Sequence, residues 1–81
     1  MYFVYMLLSK DSFKHTYVGY TKNLSQRLKL HNSSKGAKYT KGRSWKIIYS
    51  KKFISKSEAI KNEYKLKKNY LLRKKIKNKA L

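Results

Sequence analysis

Arg27 and Glu63 are charged side chains that helical periodicity aims inward, in a chain with three arginines and three acids among its 81 residues. Leu24, Leu28 and His31 recur at helical spacing, and Arg27 falls between the Leu24/Leu28 stripe and Leu30. Further on, Ala59, Ile60, Tyr64 and Leu66 form the expected buried arc of a second helix. At about 100° per residue, Glu63 lies inside that arc, about 40° from Ala59 and about 60° from Ile60. A guanidinium offers an anion a planar fork of donors, and one carboxylate can hold Mg²⁺ whose other positions go to water and substrate oxygens. The pair therefore suits chemistry at a phosphate. Each residue also has a plainer reading: Arg27 as a stem covering Leu24, and Glu63 as the partner of Lys67 at i,i+4, worth ~0.3 kcal/mol.

The formal charge of +19 makes a polyanion the natural partner, through lysine–phosphate contacts that release counterions. Of the 22 basic residues 19 are lysine, so the few arginines, Arg27, Arg43 and Arg73, draw notice. Mere solubility and an anionic membrane surface are the competing uses of such charge. The second lacks a long amphipathic basic helix, Tyr70 to Lys79 being the nearest candidate. There is no cysteine and there are two histidines, His15 and His31, which excludes disulfides, zinc fingers and thiol catalysis. No apolar run reaches membrane-span length, and Met1 leads into a strand without a basic leader region, so the expected location is cytoplasmic. With Asp11 in a turn and Glu58 in a cap, chemistry that needs several carboxylates is out of reach.

The elements that must position these residues follow from pattern. Tyr2 to Leu8 is an unbroken apolar run, as expected of a central strand covered on both faces. Asp11-Ser12 turns the chain into a second strand, Thr16 to Tyr20, so that Tyr5 and Tyr17 can be neighbours. Gly19 ends that strand without a side chain, which permits a bend or the close approach of a phosphate. Asn23, with Gln26 three residues on, caps the first helix, and Ser55 with Glu58 caps the second. Between them, Asn32 to Ser44 reads as a mobile basic loop. Its Lys35, Lys38, Lys41 and Arg43 suit phosphates and its Tyr39 suits base stacking, an ordinary solvated loop being the alternative. Trp45 to Phe53 alternates as a third strand, and Tyr70 to Leu81 reads as a short basic helix. The fold class is α+β, a three-stranded antiparallel sheet flanked by two or three helices in one domain over residues 1–81.

The order Val4-Tyr5, then Tyr17-Val18-Gly19, then Arg27 eight residues after the glycine resembles the GIY-YIG nuclease domain. The resemblance runs from Tyr2 to about Lys68 and is closest to small bacterial members with a Lys-Gly-Ala-Lys-Tyr-Thr-Lys-Gly-Arg loop, here Lys35 to Arg43. The first half of the signature, Phe3-Val4-Tyr5, lacks its glycine. The resemblance implies a metal-dependent DNA endonuclease: Glu63 holding Mg²⁺ or Mn²⁺, Arg27 bracing the attacked phosphate, and Tyr17 as general base or water-orienting group. Tyr5 and His31 would complete the hydrogen-bond network. Gly19 and Lys22 would lie at the substrate, with Lys22 lowering the pKa of a nearby phenol, since a tyrosine near its reference value of ~10 is a poor base. Branched or distorted DNA is the expected substrate, with a partner protein or loose electrostatic affinity supplying the targeting. A basic nucleic-acid-binding module without catalysis is the alternative.

Overall fold

The computed structural model describes all 81 residues. Strand β1 (Tyr2–Ser9) is central, with β2 (Thr16–Thr21) and β3 (Trp45–Phe53) antiparallel on either side in the order β2-β1-β3. The unbroken apolar run of β1 has the cause expected of it. Val4 and Met6 pack on one face with Val18 of β2 and with Ala59 and Leu66 of the helix α2 (Lys56–Lys68). Tyr5 and Leu7 pack on the other face with Trp45 and with Leu24 and Leu28 of the helix α1 (Leu24–Asn32). The helix α3 (Tyr70–Ala80) contributes Ile76 to the first face. No helix is long and apolar enough to cross a membrane.

Caps fall where the side chains dictate: Asn23 accepts from the Gln26 N–H and Ser55 from the Glu58 N–H. Asp11 closes the β1–β2 turn by accepting from the N–H groups of Phe13 and Lys14, and its carboxylate also faces Arg43 at 3.4 Å. Those hydrogen bonds, the one from Ser9 foremost, hold its pKa below the usual carboxylate value.

Two expectations are corrected by packing. In α2 the inner face is Ala59, Glu63 and Leu66, whereas Ile60 and Tyr64 stand exposed, because the sheet lies on the other side of Ala59 from Ile60. The segment 32–44 is not a free loop. It contains a 3₁₀ turn (Lys38–Thr40, η1) whose Thr40 is fully buried, and the Trp45 indole donates to the Thr40 carbonyl at 3.0 Å. Burying Trp45 in so small a core requires an acceptor for its N–H, and that requirement draws the loop inward.

Candidate active site

Thirteen residues are buried, and three of them, Ser9, His31 and Thr40, are polar, so hydrogen bonds carry a large part of the core. His31 comes off the last turn of α1 between Tyr5 and Thr40. The Tyr5 hydroxyl lies 2.8 Å from its Nε2, and the Thr40 hydroxyl 2.9 Å from its Nδ1. Thr40 gives its one hydroxyl proton to the Ala37 carbonyl at 3.0 Å. The network thereby assigns the imidazole tautomer: Nδ1–H donates to Thr40, and Nε2 accepts from Tyr5. Burial, with help from the charge of Arg27, lowers the pKa of His31 to about 4, so the ring is neutral at pH 7.

Glycine supplies the space for this arrangement twice. Tyr5 and Gly19 are cross-strand partners, and a Cβ on Gly19 would stand 2.6 Å from the Tyr5 hydroxyl and 3.1 Å from Tyr17 Cε2. The glycine of the signature therefore makes a recess for a phenol. Gly36 lies against the imidazole, where a Cβ would collide with Nδ1. Its carbonyl also accepts from Arg27 Nη2 at 3.1 Å, so one loop residue fixes both the guanidinium and the ring.

The Tyr5 oxygen opens on a cleft of about 340 Å³ lined also by Tyr17, Gly19, Tyr20, Thr21, Arg27 and Glu63. Tyr17 shares the face of Tyr5 at a ring separation of 6.5 Å, outside the Tyr5–His31–Thr40 chain of bonds. Burial raises the pKa of Tyr5, while the hydrogen bond and charge of Arg27 oppose that rise. Arg27 Nε is buried without an acceptor. Such an orphan costs about 1–3 kcal/mol, which negative charge in the cleft would offset. Glu63 pairs with Lys67 at 3.4 Å across one helical turn, the pairing foreseen from their spacing. No group of three or more histidine, cysteine or acidic side chains is gathered here or elsewhere. The donor set fits a hard cation with one carboxylate and otherwise water and substrate oxygens, and does not fit zinc or a two-metal site.

Sequence reasoning named the five residues Tyr5, Tyr17, Arg27, His31 and Glu63, which the fold brings to this cleft or directly behind it. It placed others less well. Lys22 stands over the Tyr2 ring at 5.4 Å and is not part of the cleft, where the cation beside a phenol is Arg27. Arg43 is engaged by Asp11, while Lys35, Lys38 and Lys41 are exposed around the pinned loop. Tyr39 is half-exposed and stacks on Tyr17 at 6.1 Å and 21°. Thr40 and Gly36 were missed as supports of the histidine. The only signal available was their place in a loop, because a buried loop threonine looks like an exposed one in sequence.

Comparison with known proteins bears on the family and the fold. A family model described as the GIY-YIG catalytic domain matches residues 1–77. A UPF0213 protein of Oceanobacillus iheyensis is 49% identical over 67 residues, covering 82% of this chain and 76% of that protein. One from Clostridium perfringens is 46% identical over 69 residues, covering 84% and 72%. The solution NMR structure of a UPF0213 protein from Bacillus halodurans superposes with a TM-score of 0.53 at 39% identity, over 93% of this chain and 80% of that one. The chain belongs to the GIY-YIG family, alongside the small bacterial UPF0213 proteins.

Proposed function

We propose that the chain is a metal-dependent endonuclease that hydrolyses DNA phosphodiesters, with branched or distorted DNA as its substrate. The observation that carries this reading is the proton path from the cleft into the core. Because the proton of Tyr5 is directed at His31 Nε2, the lone pairs of the phenol oxygen are left for a water in the cleft. As the water oxygen bonds to phosphorus, its proton passes to Tyr5 and that of Tyr5 to His31, while the bond from phosphorus to the departing sugar oxygen breaks. The low basicity of His31 allows this transfer only in concert with attack and with the negative charge gathering on the phosphate beside it. Tyr17, outside the chain of bonds, orients the water. Arg27 receives the charge that builds on the phosphoryl oxygens, held in place by Gly36 and with a donor to spare. Glu63 would hold the divalent ion, Mg²⁺ or Mn²⁺, which when bound neutralises charge on the phosphate and the departing oxygen.

The test is cleavage of labelled duplex, single strand, 5′ flap, fork and four-way junction with Mg²⁺ or Mn²⁺, by the wild type, Glu63→Ala and Arg27→Ala. Cutting of at least one substrate, lost in both variants while Glu63→Ala still binds DNA, is the expected result. No cutting across the panel, with DNA binding retained by all three proteins, would make the chain a binding module.

A further inference from the structure

Of the three arginines, Arg27 belongs to the cleft and Arg43 is paired with Asp11, which leaves Arg73. Its Nε donates to the Leu66 carbonyl at 3.1 Å, and its guanidinium lies 5.8 Å from the centre of the Tyr70 ring. The side chain is thus anchored at Nε. Neither of the two ion pairs in the chain includes it, so its charge has no acid partner.

Arg73 sits at the junction of two concavities that continue the catalytic cleft. The nearer, about 260 Å³, shares Tyr17 with the cleft and is lined also by Thr16, Tyr39 and Lys67. The farther, about 290 Å³, shares Thr16 and Arg73 with the nearer and adds Lys74 and Lys77 of α3. Together they form a groove beside β2, a strand that pairs on one side only. No acid lines either concavity, and the half-exposed Tyr39 ring stands at the cleft end.

Resting on the nuclease reading, we propose that this groove is a track for one single strand of nucleic acid continuing from the cleaved phosphate. A base stacks on Tyr39, and successive phosphates meet Arg73, Lys74 and Lys77. Charge selects a polyanion, and the half-exposed Tyr39 ring beside the cations selects a strand with a free base. Stacking needs a base whose face is free, which a paired and stacked duplex does not offer. The substrate class is therefore DNA with a single-stranded tail at the cutting site, and the basic residues of α3 do more than keep the chain in solution.

Binding in EDTA tests this without turnover. Fluorescence anisotropy would compare a blunt duplex with the same duplex carrying a tail of about ten nucleotides on either strand, within the span such modules cover. The wild type should bind one tailed form about tenfold more tightly than the blunt one. In Arg73→Gln/Lys74→Gln/Lys77→Gln that ratio should fall to about one, and in Tyr39→Ala by about half of its logarithm. Lys46→Gln/Lys51→Gln/Lys52→Gln removes equal charge from the opposite sheet edge, and should weaken both substrates while keeping the ratio. Lys74→Gln/Lys77→Gln, which leaves the Arg73 anchor intact, guards against misfolding and should lower the ratio in part. A wild-type ratio of one, or a ratio unchanged in the Lys74/Lys77 variant, would overturn the track. A tail-dependent ratio in a protein that cuts nothing would overturn the nuclease reading alone.

Discussion

The Tyr5 hydroxyl and His31 Nε2 face each other at 2.8 Å, and because the imidazole is closed off from solvent the phenol is the one partner that Nε2 has. Tyr5→Phe removes the proton and leaves Nε2 unpaired. We expect it to lower stability by about 1–3 kcal/mol and cleavage by at least about 100-fold. Tyr17→Phe, outside that bond, should move stability by less than about 0.5 kcal/mol while lowering cleavage less than Tyr5→Phe does. Urea unfolding with single-turnover kinetics separates the two. Greater loss of cleavage in Tyr17→Phe would exchange the roles of the phenols.

The depressed pKa of His31 makes folding sensitive to mild acid. Arg27 faces the ring from its own helix, Tyr5 from β1 and Tyr17 from β2, and no acid approaches to restore the charged form. The unfolded histidine takes up its proton near pH 6.5 and the folded one only at about 4. Within that window the unfolded state binds more protons, so stability is full above pH 6.5 and declines as pH falls toward 4. At about 1.4 kcal/mol per pH unit the decline amounts to about 3 kcal/mol. Chemical unfolding at pH 7, 6, 5 and 4 measures it. His31→Gln should flatten this part of the profile, and an equally steep decline in that variant would place its origin elsewhere.

Gly36 and Gly42 lie in the same basic loop but should fail differently. A methyl group on Gly36 would collide with His31 Nδ1, and the ring is held at both nitrogens and cannot swing aside. Gly36→Ala should cost about 1–3 kcal/mol and also lower cleavage, because the ring and the Arg27 anchor move together. Gly42 has open space around it but a φ of +78°, so Gly42→Ala should cost about 1 kcal/mol of backbone strain and leave cleavage nearly unchanged. Melting curves with initial rates for the two variants check the contrast.

These contrasts mark what sequence can carry. The three strands, the caps at Asn23 and Ser55, and the central place of β1 follow from local rules of period and capping, which fold and sequence share. Arg27 and Glu63 were legible because each breaks the periodic pattern of its helix. The burial of Thr40 was not, because it answers a need of Trp45 and His31 that exists only once the sheet has formed. The apolar arc of α2 misled for the same reason. Ala59 and Ile60 lie about 100° apart on the helix, at the two sides of the expected arc, and only the position of the sheet decides which of them is covered.

Glu63 is held by Lys67 at 3.4 Å, so its carboxylate has a cation already, and a divalent ion held there as proposed would have to compete for it. The lysine is half-exposed and the pair spans one helical turn, which limits its worth to about 0.3–0.5 kcal/mol. Lys67→Ala should therefore leave the unfolding midpoint almost unmoved. At saturating DNA it should lower the Mg²⁺ concentration for half-maximal cleavage by about twofold, the factor that about 0.5 kcal/mol allows. Glu63→Gln should abolish cleavage at every Mg²⁺ concentration with equally little effect on folding, because the carboxylate makes no other bond that its amide would lose. A Mg²⁺ titration of the three proteins reads both effects. An unchanged half-point in Lys67→Ala would mean that the lysine already stands away from Glu63 when DNA is bound, and cleavage by Glu63→Gln would remove the carboxylate from the site.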